Sequence, residues 1–302
     1  MRPFQLISGY VFLAFGVVCT PIYARIIYIF ISKAKYRKLE CFRIMFQIGF
    51  VQILTAPGTI FAGLTHVLNF NPYGLTDQFI AVTVGAVKSE SVLSALLALN
   101  RLKIMCKLQY PKIIDWVLLF VAYGYGIACT SLFLTPFASI SYKPGRYLAQ
   151  YDFTKPYTKS LVECGSFLSM VSYCAAFVIY LIVISYMIWM RTKSTGPSCR
   201  MQEKKILVYA LVRFLSDLAL SIMQNIFPLP YGDLQFIGSL FYIINCLFIP
   251  PALYLCISKT LREEFMNRKS HRRTRTSKTV FALTEKRVGQ VSSVDYPTSI
   301  TA

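Results

Sequence analysis

The chain has 302 residues, of which 55% are hydrophobic and only 15% are charged, whereas a soluble domain carries about 25% charged residues. Its 32 Lys and Arg outnumber its 13 Asp and Glu and give a formal net charge of +19. A soluble nucleic-acid binder is excluded because its apolar share would be ordinary, and a small disulfide scaffold is excluded because the nine cysteines are scattered along the chain. The composition predicts a polytopic membrane protein.

Seven apolar stretches are each long enough to cross a hydrocarbon core of roughly 30 Å as a helix. We name them spans one to seven and predict them at 4–32, 41–68, 77–100, 113–139, 161–190, 205–230 and 234–258. The first three and the last three spans share no placement of Pro, Gly or charge, which argues against a transporter built from two related halves. The predicted fold is an all-α membrane protein with a seven-helix bundle.

Lys and Arg indicate the orientation of the spans, because short basic loops are retained in the cytosol. If the N-terminus lies outside, the cytosolic segments carry 24 Lys and Arg and the outer segments carry five. We therefore expect an extracellular N-terminus and a cytosolic C-terminus. Most of the net positive charge would then face the anionic lipid of the inner leaflet.

Three segments outside the spans have distinct compositions. The loop of residues 140–160 is rich in Tyr and Pro, and it predicts either a structured lid over the bundle or an ordinary aromatic-rich connector. Leu261 and Phe265, four residues apart among charges, predict a short amphipathic helix on the inner leaflet. Residues 267–302 are basic and rich in Ser and Thr, and they predict a disordered cytosolic tail that follows a membrane domain, 1–266.

Four ionisable side chains lie deep within the predicted spans, where a charge is costly and is usually paired or functional: Lys88, Glu90, Arg213 and Asp217. Counted from the cytosolic ends of their helices, Lys88 and Asp217 lie roughly 20 and 18 Å up and are predicted to pair. Glu90 and Arg213 lie roughly 16 and 12 Å up and form a second predicted pair. Such contacts would latch span three to span six, or the side chains would line a ligand pocket. A purely structural pair, or an Arg213–Asp217 bond within one helix, is the alternative.

Three short motifs occur at the ends of the spans. Leu97–Arg101 closes span three, Cys41–Gly49 opens span two, and Ile249–Tyr254 lies near the end of span seven. Together they resemble the serpentine chemoreceptors of nematodes, a rhodopsin-like branch of the G-protein-coupled receptors. The first motif is similar to the family's LALNR form of Asp-Arg-Tyr, and the last to its version of Asn-Pro-x-x-Tyr. The resemblance favours the Srv class, with Srt and Srx as alternatives.

This resemblance implies a chemosensory receptor of the plasma membrane, with the sensory cilium as an expected site, and not an enzyme. An extracellular small molecule or peptide would bind in the bundle, and a heterotrimeric G protein would dock on the cytosolic side. The Ser and Thr of the tail are candidate sites for a kinase and arrestin. The residues that the resemblance assigns to coupling and activation are Asn100, Arg101, Pro251 and Tyr254.

Two features of the sequence depart from rhodopsin-like receptors. Gln52 stands where they carry an Asp in span two, and span three has no Cys at its outer end to bridge to the outer loop. Two histidines, His66 and His271, are too few for a His-based zinc site, and residues 234–258 contain no Lys for a retinal Schiff base. We therefore expect neither a metal nor a cofactor. A transporter or channel that uses the four deep charges stays the alternative function.

Overall fold

A computed structural model of the chain describes residues 3–193 except 107 and 109, and residues 211–212, 214–220, 222, 233–257 and 259–266. Within these ranges the side chains of residues 187, 190–193, 233 and 257 are not described. Arg213, most of span six and the predicted tail lie outside the described residues. Predictions that fall on them stay predictions.

Six helices among the described residues are long and apolar enough to cross a membrane, and they correspond to predicted spans one to five and seven. Their bounds are Pro3–Ser32, Glu40–Leu68, Pro72–Met105, Ile113–Phe133, Thr158–Tyr186 and Leu234–Cys256. Span five continues as a helix to Lys193. The described residues between 211 and 222 are also helical and belong to span six. The all-α bundle predicted from the sequence is therefore confirmed.

Two spans are interrupted. Span two consists of helices Glu40–Ile53 and Thr55–Leu68, which meet at Leu54, three residues before Pro57. Span seven consists of Asp233–Ile243, a π-helical turn at Ile244–Phe248, and Ile249–Ile257. Such π-helical turns inside α-helices occur frequently at functional sites.

Span four ends at Phe133, earlier than the predicted residue 139. Thr135 precedes Pro136, and a residue before proline is disfavoured in the α conformation. Pro136 therefore belongs to the loop after the span, and it does not kink a helix within the membrane. This loop, residues 134–157, is called the outer loop below.

The outer loop folds as a short hairpin. Strands Ile140–Ser141 and Gln150–Tyr151 pair antiparallel, with Ile140 opposite Tyr151. Gly145 lies in the turn between them with a φ of +78°, a conformation that glycine adopts without steric cost. The outer loop is therefore structured, as the first of the two predicted alternatives requires.

Close backbone contacts between glycines bring neighbouring spans together. A Cβ added to Gly63 in span two would lie 2.8 Å from the carbonyl oxygen of Gly9 in span one. One added to Gly126 in span four would lie 2.9 Å from the carbonyl oxygen of Gly85 in span three. Small residues at such crossings let membrane helices pack closely without a hydrophobic driving force.

Large apolar side chains cover much of the outside of the bundle. Phe120 in span four is 79% exposed and Phe167 in span five is 73% exposed. Exposed aromatics on this scale are costly in water but are expected on a surface that faces lipid. After span seven a further helix, Lys259–Met266, occurs where an amphipathic helix is predicted, and its placement on the inner leaflet stays a prediction.

Candidate ligand-binding site

A cavity of about 700 Å³ lies beneath the outer loop, within the range of volumes that hold a drug-sized ligand. Its wall combines side chains of spans one to five and seven with residues of the outer loop. Most of the wall is apolar, including Phe12, Ile80, Val84, Phe133 and Leu161. The spans and the outer loop therefore enclose this cavity between them.

His66, at the outer end of span two, fastens the outer loop over this cavity. Its side chain is fully buried, its Nε2 lies 2.9 Å from the Tyr142 hydroxyl, and its Nδ1 lies 3.3 Å from the amide nitrogen of Gly145. An amide can only donate, so Nδ1 is the acceptor and a neutral ring carries its proton on Nε2. The ring then donates to Tyr142 and accepts from Gly145, and one side chain holds two points of the segment between the strands.

Two further hydrogen bonds and one ring contact complete what we call the outer clamp, the set of contacts that hold the outer loop to the spans. The backbone amide of Tyr142 donates to the Asp77 carboxylate of span three at 2.7 Å. The Ser239 hydroxyl of span seven donates to the carbonyl oxygen of Tyr147. The ring of Tyr147 packs against His66, with 4.8 Å between centroids. Burial raises the pKa of the Tyr142 phenol well above its ordinary value, so this hydroxyl stays protonated.

Lys88 and Glu90 face different sides of span three. Successive residues of a helix are rotated by about 100°, so residues two apart lie on nearly opposite faces. Lys88 lines the cavity and faces spans four and five, where its ε-carbon is 3.0 Å from the position of a Cβ added to Gly165. Glu90 is buried on the other side, against span two.

The predicted Lys88–Asp217 pair is not formed: no carboxylate of the described residues lies within 4.0 Å of the Lys88 nitrogen. Asp217 accepts a hydrogen bond from the Asn245 side chain at 2.7 Å, which connects span six to span seven. Counting residues defines the depth of a side chain but not the direction in which it points from the helix. The second pair, Glu90 with Arg213, stays a prediction because Arg213 lies outside the described residues.

Glu90 belongs to a buried hydrogen-bonded network across spans one, two and three. The Tyr23 hydroxyl donates to the side-chain oxygen of Gln52, and the Gln52 amide nitrogen donates to the Glu90 carboxylate. Tyr23 and Gln52 are fully buried. Buried polar groups in membrane helices are costly unless they find such partners. In the sequence Gln52 stands out because it replaces the Asp of rhodopsin-like receptors. An amide in the middle of an apolar span is also a signal of a buried polar contact, and that signal could have predicted this network.

The motif residues at the ends of spans three and seven are also buried. Arg101 is 5% exposed and its guanidinium donates to the Cys41 thiol at the start of span two. Asn100 is 1% exposed. The ring of Tyr254 packs edge-on against Phe30 of span one at 5.3 Å, and Pro251 is buried in the same helix. The structure thus brings Arg101 of the span-three motif to Cys41 of the span-two motif, whereas Tyr254 contacts span one.

A cluster of charges near Arg101 joins spans two, three and four at the end of the bundle predicted to be cytosolic. The Lys103 nitrogen lies 3.0 Å from the Glu40 carboxylate and 4.0 Å from that of Asp115. The Tyr110 hydroxyl donates to Asp115 at 2.8 Å. Burial and this hydrogen bond raise the pKa of Tyr110 above its ordinary value. We call these four residues the inner cluster.

Comparison with known proteins supports the fold and leaves the family open. No protein-family model and no curated protein sequence matches the chain. Among solved structures the chain is similar to squid rhodopsin, with a TM-score of 0.68, 10% sequence identity, and coverage of 97% of this chain and 92% of that one. A match of this extent shows that the chain has the fold of rhodopsin-like G-protein-coupled receptors. It is a multi-pass helical membrane protein of that architecture.

Proposed function

We propose that the chain is a G-protein-coupled chemosensory receptor that binds an extracellular ligand in the cavity beneath the outer loop. The observation that carries this proposal is the cavity itself, enclosed by a rhodopsin-like bundle and by the outer loop. Its wall is mostly apolar with a few polar groups, which is typical of small-molecule sites. A plasma-membrane location, the sensory cilium and the nematode chemoreceptor class are parts of the same proposal, supported by the motif resemblance alone.

A route from ligand to cytosol begins at span seven. Tyr242 and Ile243 line the cavity, and Asn245, two residues further on, lies in the π-helical turn and bonds to Asp217 of span six. A ligand that displaces Tyr242 would change the turn that positions Asn245. The Asn245–Asp217 bond is therefore the contact through which ligand would act on span six in this proposal.

Arg101 is the residue that we assign to the G protein. It follows the neutral Asn100, and no carboxylate of the described residues lies within 4.0 Å of its guanidinium. Its Nε, which is buried, has no hydrogen-bond partner among the described residues. A guanidinium without an ion pair, held by a thiol, can exchange that weak acceptor for carbonyl oxygens of a docking helix.

The cytosolic surface accommodates the remaining proposed partners. A heterotrimeric G protein would dock beside Arg101, and a kinase and arrestin would act on the Ser and Thr of residues 267–302. The basic residues of that segment would bind anionic inner-leaflet lipid. The transport alternative has less support, because Lys88 lines the cavity whereas Glu90 bonds to Gln52 on another face of span three.

A pair of substitutions tests this proposal without a known ligand. Asn245→Ala removes the bond to Asp217 and should raise basal nucleotide exchange on a purified G protein several-fold, because span six loses one contact that holds it. Adding Arg101→Gln should return exchange to background while cell-surface expression is unchanged. Ser160→Ala, on the outer side of span five, is the control and should change neither. If Asn245→Ala fails to raise nucleotide exchange on every class of Gα subunit tested, the proposed coupling to a G protein is wrong. It is also wrong if Arg101→Gln leaves the raised exchange intact. Substrate or ion flux that persists in the double variant would favour transport.

A further inference from the structure

The cavity wall contains one unbalanced charge. Lys88 is the only charged side chain among the described residues that line the cavity, and its neighbours there include Val84, Val87 and Cys129. Span three places it at membrane depth, where a lone ammonium is costly. The other deep acidic groups are directed elsewhere, because Glu90 accepts from Gln52 and Asp217 accepts from Asn245.

An uncompensated ammonium in an apolar wall is a strong determinant of ligand chemistry. Burial penalises the charge unless an anion or a set of acceptors satisfies it, and a carboxylate does so with both charge and hydrogen bonds. A cationic ligand would be repelled, and a purely apolar ligand would deepen the desolvation of the lysine. The apolar wall around Lys88 meanwhile favours a hydrocarbon body over a small inorganic ion.

We propose that the cavity binds an amphipathic organic anion, an apolar molecule with one carboxylate, and that Lys88 receives that carboxylate. The inference rests on the proposed function in taking the cavity as the ligand site, and it adds the chemical class of the ligand. The carboxylate lies at the depth of Lys88, against spans four and five, and the hydrocarbon body lies toward Ile80, Phe133 and Ile243.

Removal of the Lys88 ammonium should stabilise the ligand-free protein, because the cost of its burial is then lost. Lys88→Met keeps the length of the side chain and removes the ammonium, so the melting temperature of the ligand-free protein should rise. Lys159→Met is the matched control: the Lys159 side chain is 72% accessible and its 3.9 Å ion pair with Glu163 is exposed, so its loss should leave the melting temperature nearly unchanged. A fall in melting temperature on Lys88→Met would show that the charge is satisfied within the protein and would overturn the proposal.

The binding test uses the full chain in detergent with linear carboxylic acids from hexanoic to tetradecanoic acid, each compared with its alcohol and its amine of equal length. At least one acid should raise the melting temperature of the wild type more than the matched alcohol and amine do. Its apparent affinity should fall about tenfold or more in Lys88→Met, because a charge-assisted contact is lost, and should be retained in Lys88→Arg and Lys159→Met. If no acid exceeds its alcohol, or if Lys88→Met binds the acids as well as the wild type does, the proposal is wrong.

This experiment separates two kinds of failure. Thermal stabilisation requires no G protein, so binding of acids without any nucleotide exchange would support the anion site and contradict the receptor function. Nucleotide exchange that depends on Arg101, together with equal binding of acids and alcohols, would do the reverse.

Discussion

The two ends of the bundle are held together by different chemistry. At the outer end, the fully buried imidazole of His66 and the partly buried carboxylate of Asp77 bond to the outer loop. At the inner end, the contacts join charged side chains, and the carboxylate of Glu40 is 36% accessible. The His66–Tyr142 and Ser239–Tyr147 contacts are therefore shielded from solvent and salt, whereas the inner ion pairs are partly screened.

This difference fits the tasks that the two ends have in the proposed function. A loop that roofs a binding cavity must be placed accurately, and buried hydrogen bonds with defined geometry do this. A cytosolic end that opens for a partner needs contacts that break at low cost, and partly exposed ion pairs are worth little individually. The comparison predicts that substitutions in the outer clamp will cost more than substitutions in the inner cluster.

The largest effect is expected for His66→Leu. The substitution places an apolar side chain of moderate size at this position, and it leaves the buried Tyr142 hydroxyl and the amide of the exposed Gly145 without their His66 partner. A buried unsatisfied group costs about 1 to 3 kcal/mol and an exposed one little, so a loss of about 2 to 3 kcal/mol in the free energy of unfolding is expected. Thermal unfolding of the detergent-purified protein measures it. A loss as small as that of an exposed surface substitution would refute the role of His66 in the clamp.

A smaller effect is expected for Tyr142→Phe, which removes one hydroxyl and leaves the ring and its backbone bond to Asp77 in place. The Nε2–H of His66 then lacks an acceptor, and the expected loss is about 1 to 2 kcal/mol by the same measurement. Tyr147→Phe is the matched control, because that ring packs on His66 but its hydroxyl makes no hydrogen bond recorded among the described residues. Equal losses in the two variants would contradict the assignment.

The course of the spans could be predicted from the sequence because lipid imposes a length and a composition on each helix. The apolar stretches and the bias of Lys and Arg are properties of the chain itself. The predicted end of span four, residue 139, lies beyond the observed end at Phe133 because the hydrophobic stretch continues through Phe137. The helix ends earlier because the residue before Pro136 is disfavoured in the α conformation.

Side-chain partners could not be predicted to the same degree. The depth of Lys88 was readable from the helical rise, but its partner depends on how span three is rotated about its own axis, which is set by packing such as that between Gly85 and Gly126. The role of His66 was missed because the Tyr142 and Gly145 that bind it are more than 70 residues away in sequence. A lone histidine at an interface carries no signal of that contact.

The smallest effect is expected for Lys103→Met in the inner cluster. The substitution removes the ion pair with Glu40 at 3.0 Å and the longer contact with Asp115 at 4.0 Å. Because these groups are partly accessible, the expected loss is about 0.5 to 1 kcal/mol, and it should largely vanish at about 1 M salt, where the Debye length is about 3 Å. Lys38→Met is the matched control, since Lys38 is an exposed lysine with no ion pair among the described residues. A salt-independent loss as large as that of His66→Leu would show that both ends are held by buried contacts, and the distinction between them would fail.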